Sequence, residues 1–327
     1  MTVLCLLEDD GSEPIDASLR ALSFSRALAE SSGEELAAAV VGEPGASVLA
    51  SLCSFGVSAA YSIVSDELAS YAPVAWARAL AGLGSSLPAT ATVAAGTDRG
   101  NEVMAHLGAM LELPMVANCF TAQRSDATTV VLSRQRWAGS LVEDAVLEAS
   151  PALLTVAFDG VAPEPAPSPA TTSLQTYRPA LEAEDLAVRV SDWTKQSSGI
   201  TLAEARVVIG GGRGVGSADS FAPIEELAGL LGAAVGVSRA VTSAGWRSHA
   251  HQVGQTGTRI APDLYMACGI SGAIQHLAGC QSAKHVIAVN TDADAPIISR
   301  ADYAVIGDLS VVIPALVAAI RQRSGTA

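Results

Sequence analysis

Short apolar runs alternate with longer amphipathic stretches through the first half of the chain. Residues 3–7, 36–41, 60–63, 92–95, 130–132 and 152–157 read as strands, and 17–31, 48–55, 71–83, 101–111 and 141–149 read as helices. Strands that are apolar throughout, with a helix between each pair, predict a parallel sheet covered on both faces. A second alternating unit begins at Arg206. Its strands read at 206–210, 233–237, 264–268, 285–290 and 303–306, and its helices at 220–231, 272–280 and 309–323. The fold class is therefore α/β, with two Rossmann-like parallel-sheet domains at 1–191 and 192–327. The polar segment 192–201 (DWTKQSSGIT) is the expected hinge on which the second domain swivels. The Pro-rich run 163–173 (PEPAPSPATTS) reads as an exposed excursion rather than a linker, because Val188 and Val190 still read as a strand after it.

Composition narrows the class. Of 327 residues 50% are hydrophobic but only 4% aromatic, which suits closely packed α/β layers rich in alanine and glycine. The longest apolar run, 311–320, is interrupted by Pro314 and is too short to span a bilayer, so no membrane insertion is expected. The N-terminus MTVLCLLEDDG lacks a basic region and reads as a first strand rather than a targeting signal. Five cysteines without CxxC spacing argue against a disulfide framework or a zinc site, and fit small buried hydrophobes in a reducing compartment. A net charge of −14 disfavours nucleic acid as a partner. That charge is uneven. Residues 1–190 hold 9 basic against 23 acidic side chains, and 191–327 hold 10 against 10. An anionic ligand meets least repulsion in the second half.

The chemistry concentrates in residues 252–279, QVGQTGTRIAPDLYMACGISGAIQHLAG. Gln252 to Gly257 form a glycine-punctuated loop, 263–268 a short buried strand, and Gly269-Ile270-Ser271-Gly272 a turn with Ser271 as the expected N-cap. Gly272, His276 and Gly279 fall at i, i+4 and i+7 and share one helix face, while Ile274 and Leu277 are expected to face the core. Two glycines and a histidine in a stripe suit something flat lying against the helix, with a phosphate at its start. The competing reading is close helix packing around a satisfied core histidine. Other motifs are weaker. GGGRGVG at 210–216 has no strict GxGxxG register and no acidic residue about 20 positions on, so it favours phosphate but matches an NAD site poorly. The loop 96–101 opens a helix but lacks a Walker lysine. GISGA at 269–273 ends on alanine where a nucleophile elbow has glycine, and Ser271 and His276 lie ~140° apart on a helix, which argues against a hydrolase. His249 and His251 lack a third metal ligand nearby.

In order, VVIGGGRG, GVSRA, QVGQTG, LYMACGISGAIQHLAG, VIAVNTDADAPI and ADYAVIGDL closely resemble the alpha subunit of electron transfer flavoproteins. The N-terminal half resembles that family's first domain more loosely, through DRGNEVMAHLGAMLELP. The resemblance implies FAD in the C-terminal domain. It carries Arg213 and Ser238 over as residues near the FAD phosphates, and Arg239 as the arginine over the isoalloxazine. Val253, Gly254, Gln255 and Thr256 match the flavin-contacting loop, with the Thr256 hydroxyl near N5. Ser271, Gly272, Ala273, Ile274, Gln275 and His276 match the helix start, with His276 near the flavin O2. Asn290, Asp308 and Leu309 match the adenosine end. Thr291 stands where some members carry lysine, so an ionic contact there is missing. Trp246 to His249 are individual to this chain. The resemblance further implies a cytoplasmic electron carrier without catalytic residues of its own. Its beta subunit would carry AMP, and the N-terminal domain would form the subunit interface. Electrons would come from acyl-CoA or other flavin dehydrogenases, as in fatty acid beta-oxidation, and pass to a quinone reductase or similar acceptor. The alternatives are an NAD-dependent oxidoreductase domain and a non-catalytic nucleotide-binding subunit.

Overall fold

The computed structural model describes residues 1–139, 141–191, 201–202 and 205–324. The chain forms two compact units, Met1–Thr194 and Lys195–Ala327. The expected hinge lies outside the described residues, save Thr201 at its end.

The first unit runs β1 (Thr2–Leu7), α1 (Asp16–Ser32), β2 (Glu35–Val41), α2 (Ala46–Ser54), β3 (Ala59–Ile63), α3 (Pro73–Ser86), β4 (Ala89–Ala95), α4 (Asp98–Leu111), β5 (Met115–Arg124), β6 (Thr129–Arg136), β7 (Leu141–Glu148), β8 (Ala152–Val156) and β9 (Ser173–Tyr177). They make one nine-stranded sheet in the order β7-β6-β5-β8-β4-β1-β2-β3-β9. Its middle strands are buried on both faces, as their unbroken apolar runs require. One face packs on α1 and α2, the other on α3 and α4.

Three expectations fail here. The segment 141–149 is the strand β7 rather than a helix, and β5 was not read at all. Because β5, β6 and β7 pair antiparallel, the sheet is mixed rather than parallel. LVEDAVLE carries its acids at a spacing that a helix tolerates, but Glu143 and Asp144 are satisfied across the strands. Arg134 Nε donates to Glu143 Oε2 at 2.5 Å and Ser133 Oγ to Asp144 Oδ1 at 2.6 Å. Val188 and Val190 form no strand. The strand after the Pro-rich run is β9, which adds parallel to β3, so the run is an excursion within the unit. Backbone bonds from Ala166 and Ala170 tie it to the end of α2.

The second unit holds β10 (Val207–Gly211), α5 (Ala222–Leu231), β11 (Ala234–Val237), α6 (Arg239–Ser243), β12 (Leu264–Cys268), α7 (Ile274–Cys280), β13 (His285–Asn290), β14 (Tyr303–Ile306) and α8 (Leu309–Ser324). Its five strands are all parallel, in the order β11-β10-β12-β13-β14. The chain direction across the sheet reverses between β10 and β12, which is where open α/β sheets seat ligands beyond the carboxyl ends of the strands. Among the described residues no helix is long and apolar enough to cross a membrane, and no group of three or more His, Cys, Asp and Glu could hold a metal. All five cysteines are free thiols.

Leu154 is fully buried in β8. Leu154→Ala should cost about 2–5 kcal/mol in urea unfolding followed on the first unit. Val131→Ala, at a half-exposed position of β6, should change it by no more than about 0.5 kcal/mol.

Candidate functional site

Loops leaving the carboxyl ends of β10, β11 and β12 meet around one cavity of about 360 Å³. Arg213 comes from the turn after β10. The glycine run there spends its amides within the protein: Gly212 N–H donates to the Cys268 carbonyl at 2.8 Å and Gly214 N–H to Gly269 at 3.0 Å. A Cβ on Gly212 would lie 2.1 Å from the Gly269 carbonyl oxygen, so these glycines serve close strand-end packing rather than a phosphate. Ser238, Arg239 and Ala240 open α6 after β11. Ile270 to Ala273, Gln275 and His276 follow β12, and Gln252 to Thr256 close the remaining side. That last loop is laced to its neighbours, with Val253 N–H donating to Val237 at 2.9 Å and Gln255 N–H to Gln275 at 2.7 Å.

The turn into α7 differs from expectation. Gly272 sits at φ +82°, and a Cβ there would lie 2.4 Å from the Ile297 nitrogen, so only glycine fits. A left-handed residue cannot continue a helix, and α7 therefore begins at Ile274 with Ala273 as its uncapped N-cap. Ser271 is not the cap; its carbonyl accepts from Ile297 N–H at 3.1 Å. The helix is only seven residues long, and Ile274 is 82% exposed instead of facing the core, while Leu277 does pack there. At Gly279 a Cβ would fall 2.3 Å from the Gly254 Cα. Both glycines of the stripe thus lie against protein backbone, and His276 alone of the three is left to chemistry.

His276 is 7% exposed, its Nε2 lies 2.8 Å from the Tyr265 hydroxyl, and its Nδ1 is buried without a hydrogen-bond partner. Burial pulls its pKa down to about 4; the Val253 backbone opposes this from nearby, though not at hydrogen-bonding geometry. The imidazole is neutral at pH 7. Beside it Thr242 Oγ1 donates to Gln252 Oε1 at 2.6 Å, and Gln252 Nε2 donates to Thr256 Oγ1 at 3.0 Å. Gln252 is itself buried. No carboxylate lines the cavity, and among the described residues neither Arg213 nor Arg239 has an ion-pair partner. The site is cationic and holds no general acid or base beyond a buried neutral histidine.

Twelve of the sixteen residues carried over in the sequence analysis line this cavity. Ile274, Asn290, Asp308 and Leu309 do not. Asn290 Nδ2 donates to the Ile270 carbonyl at 2.9 Å, holding the turn after β12. Asp308 accepts from Ser310 N–H and Oγ at 2.8 and 2.7 Å at the start of α8, and these bonds hold its carboxyl below the usual range. Leu309 packs with the sheet face under α5 and α8. Gln252, Ala240 and Ile270 line the cavity without having been carried over. Gln252 and Ile270 stood in the loop and the turn read from the sequence, and Ala240 directly follows Arg239. Arg247, unassigned from sequence, stacks 4.4 Å over Phe221 and donates to Glu225 at 2.6 Å, bracing α5. In the loop 96–101 Thr97 caps α4 and donates at 2.5 Å to Glu8, a buried carboxyl whose pKa burial raises.

An acid-free cationic cavity over the reversal point of a parallel sheet defines a binding fold for an anionic nucleotide cofactor. Residues 201–281 match the family described as the electron transfer flavoprotein FAD-binding domain, and residues 3–182 match the electron transfer flavoprotein domain. The chain is 36% identical over 326 residues to the electron transfer flavoprotein subunit alpha of Mycobacterium tuberculosis, covering 99% of each. It is 37% identical over 294 residues to that of Mycobacterium leprae, covering 89% of this chain and 91% of the other. Against the same subunit of Thermoanaerobacterium thermosaccharolyticum it is 30% identical over 310 residues, 94% of each. The chain belongs to the electron transfer flavoprotein alpha subunits. Its cofactor is FAD, and its partner is a beta subunit in a heterodimer.

Two outcomes follow from this geometry. His276 has a folded pKa near 4 against an unfolded value near 6.5, so its contribution to stability is present above about pH 6.5 and is lost as pH falls towards 4. Urea unfolding of the flavin-free protein should show ~2–3 kcal/mol of pH-dependent stability that His276→Gln lacks. Gly279→Ala must push the Gly254 backbone away, and should weaken FAD retention on gel filtration at least tenfold, with the first unit's unfolding unchanged.

Proposed function

We propose that the cavity seats the flavin ring of FAD, so that the chain works as an electron carrier rather than a catalyst. FAD, when bound, supplies the redox chemistry. The chain's residues bind it, orient it and set how readily it takes charge. Arg239 offers a cation to the ring, and the Thr256 hydroxyl, whose oxygen already accepts from Gln252, offers its hydrogen towards N5. His276 faces O2, while Arg213 and Ser238 serve the phosphates. Ser271, Gly272, Ala273, Gln275 and Val253 to Gln255 shape the walls. Asn290, Asp308 and Leu309 serve the adenosine end, Asn290 by holding the turn after β12 and Asp308 by fixing the start of α8, and Ile274 contributes from outside the cavity. The observation that carries this is a pair of guanidiniums with no ion-pair partner among the described residues, around a cavity without a carboxylate.

The physiological circuit is part of the proposal. Electrons enter from acyl-CoA or other flavin dehydrogenases in the cytoplasm, as fatty acid oxidation would supply them, and leave to a quinone reductase or similar acceptor. The beta subunit carries AMP, residues 1–191 form the subunit interface, and 192–327 form the flavin domain. Co-purification with the beta subunit should give a yellow complex whose flavin is bleached by an acyl-CoA dehydrogenase with its substrate. A colourless complex, or a yellow one that no flavin dehydrogenase bleaches, refutes the circuit.

Arg239→Ala removes one cation from the ring. A charge-assisted contact is worth ~1–3 kcal/mol, and ~59 mV per tenfold applies to a one-electron step, so the first potential should fall by ~40–130 mV. Arg239→Lys should fall less, because the charge stays while the planar group is lost. Redox titration of the two variants reads both values.

A further inference from the structure

Gln252 is buried, and its backbone is fixed on both sides. Its N–H donates to the His249 carbonyl at 2.9 Å, and its own carbonyl accepts from Thr258 N–H at 2.7 Å. The side-chain amide lies between two hydroxyls. Thr242 Oγ1 of α6 is 2.6 Å from Oε1, and Thr256 Oγ1 in the cavity wall is 3.0 Å from Nε2. Those are ordinary lengths for O–H···O and N–H···O, so the amide oxygen faces Thr242. Thr242 Oγ1 also has a second acceptor in reach, the Arg239 carbonyl at 3.0 Å, but only one hydrogen to give.

This chain can run in either direction. Forward, Thr242 donates to Oε1, Nε2 donates to Thr256, and the Thr256 hydrogen is left for the cavity. Reversed, Thr256 donates to Oε1, Nε2 donates to Thr242, and Thr242 gives its hydrogen to the Arg239 carbonyl. Two hydroxyls rotate and the amide turns over about its last torsion; no proton passes along the chain. The buried atoms are bonded either way, and the difference emerges at Thr256, which is exposed. Forward it presents a hydrogen to the cavity, and reversed it presents a lone pair. What lies against Thr256 therefore selects the direction.

We propose that Gln252 turns over with the redox state of the flavin, so that Thr256 donates to the oxidised ring and accepts from the reduced one. This rests on the reading that the cavity seats FAD with Thr256 towards N5. Two electrons from the dehydrogenase and one proton from solvent place a hydrogen on N5, which changes that atom from acceptor to donor. With the amide fixed, Thr256 would have to accept from both Nε2 and N5–H, and its own hydrogen would have no acceptor in this chain. Reversal keeps each group bonded in both states. Gln252 and Thr242 are positioning residues that act through Thr256, and the Arg239 carbonyl is the far end of the chain.

The test uses the full chain co-expressed with its beta subunit, with ¹⁵N in the glutamine side chains, read by NMR before and after reduction with dithionite. The signal lost in Gln252→Met identifies this glutamine among the nine. The expected result is that the Nε2 protons lie beside the Thr256 methyl in the oxidised complex and beside the Thr242 methyl in the reduced one. In Thr242→Val the amide should face Thr256 in both states, because turning over would leave a buried N–H without an acceptor, which costs more than a carbonyl without a donor. At fixed applied potential the ratio of reduced to oxidised flavin should then fall about fivefold or more, with flavin content unchanged, and Thr242→Ser should restore it. An amide that faces the same hydroxyl in both states of the unmodified protein overturns the proposal. A lower melting temperature in Thr242→Val with an unmoved redox ratio makes Thr242 merely structural and also overturns it. If that variant does not fold, the two states of the unmodified protein decide alone. Failure of the FAD reading looks different: a complex that takes up no flavin, or flavin whose binding leaves the Gln252 and Thr256 signals unshifted.

Discussion

The cavity of the second unit depends on two backbones that touch. Gly279 of α7 and Gly254 of the 252–257 loop approach so closely that a single Cβ would sit 2.3 Å from the opposing Cα. That contact presses the loop against the helix and, with the Gln255 to Gln275 bond, sets the distance between the walls that carry Thr256 and His276. Gly272 on Ile297 does the same at the start of the helix. Three elements far apart in sequence are thereby locked around one space, and the side chains that face it inherit fixed positions.

What faces that space is chosen by charge. The chain is strongly acidic as a whole, yet no carboxylate lines the cavity, and two guanidiniums there have no counter-ion among the described residues. Several basic groups elsewhere in the second unit are paired, Arg206 and Lys284 with Asp263 and Arg247 with Glu225. The histidine is held neutral by burial, and the Thr242–Gln252–Thr256 chain orients a hydroxyl without adding charge. A cofactor that alternates between redox states while leaving no product needs such a setting, in which polarity is fixed beforehand and no proton donor competes.

Much of this was legible in the residues, for local reasons. The strands of the second unit were read to within a residue or so, because short apolar runs between glycine-rich turns leave few alternatives. The cavity loop 252–256 was legible from its glycines and its family pattern. What escaped depends on contacts between distant segments. β7 was taken for a helix because the pairing of Glu143 and Asp144 with Arg134 and Ser133 is visible only once the hairpin has formed. Ser271 was taken for a cap because the left-handed backbone of Gly272 is dictated by Ile297, 25 positions away. Tyr265 looked like an ordinary strand residue, since nothing local points its hydroxyl at His276.

The central claim is that FAD lies in the space bounded by the β10, β11 and β12 loops. Hydrogen–deuterium exchange of the heterodimer, compared before and after refilling a flavin-depleted sample, tests it most directly. The account predicts that FAD slows exchange chiefly in 238–240, 252–257 and 270–276, with the loop 96–101 of the first unit unaffected. Protection confined to the first unit, or none in the 252–257 loop, would contradict it.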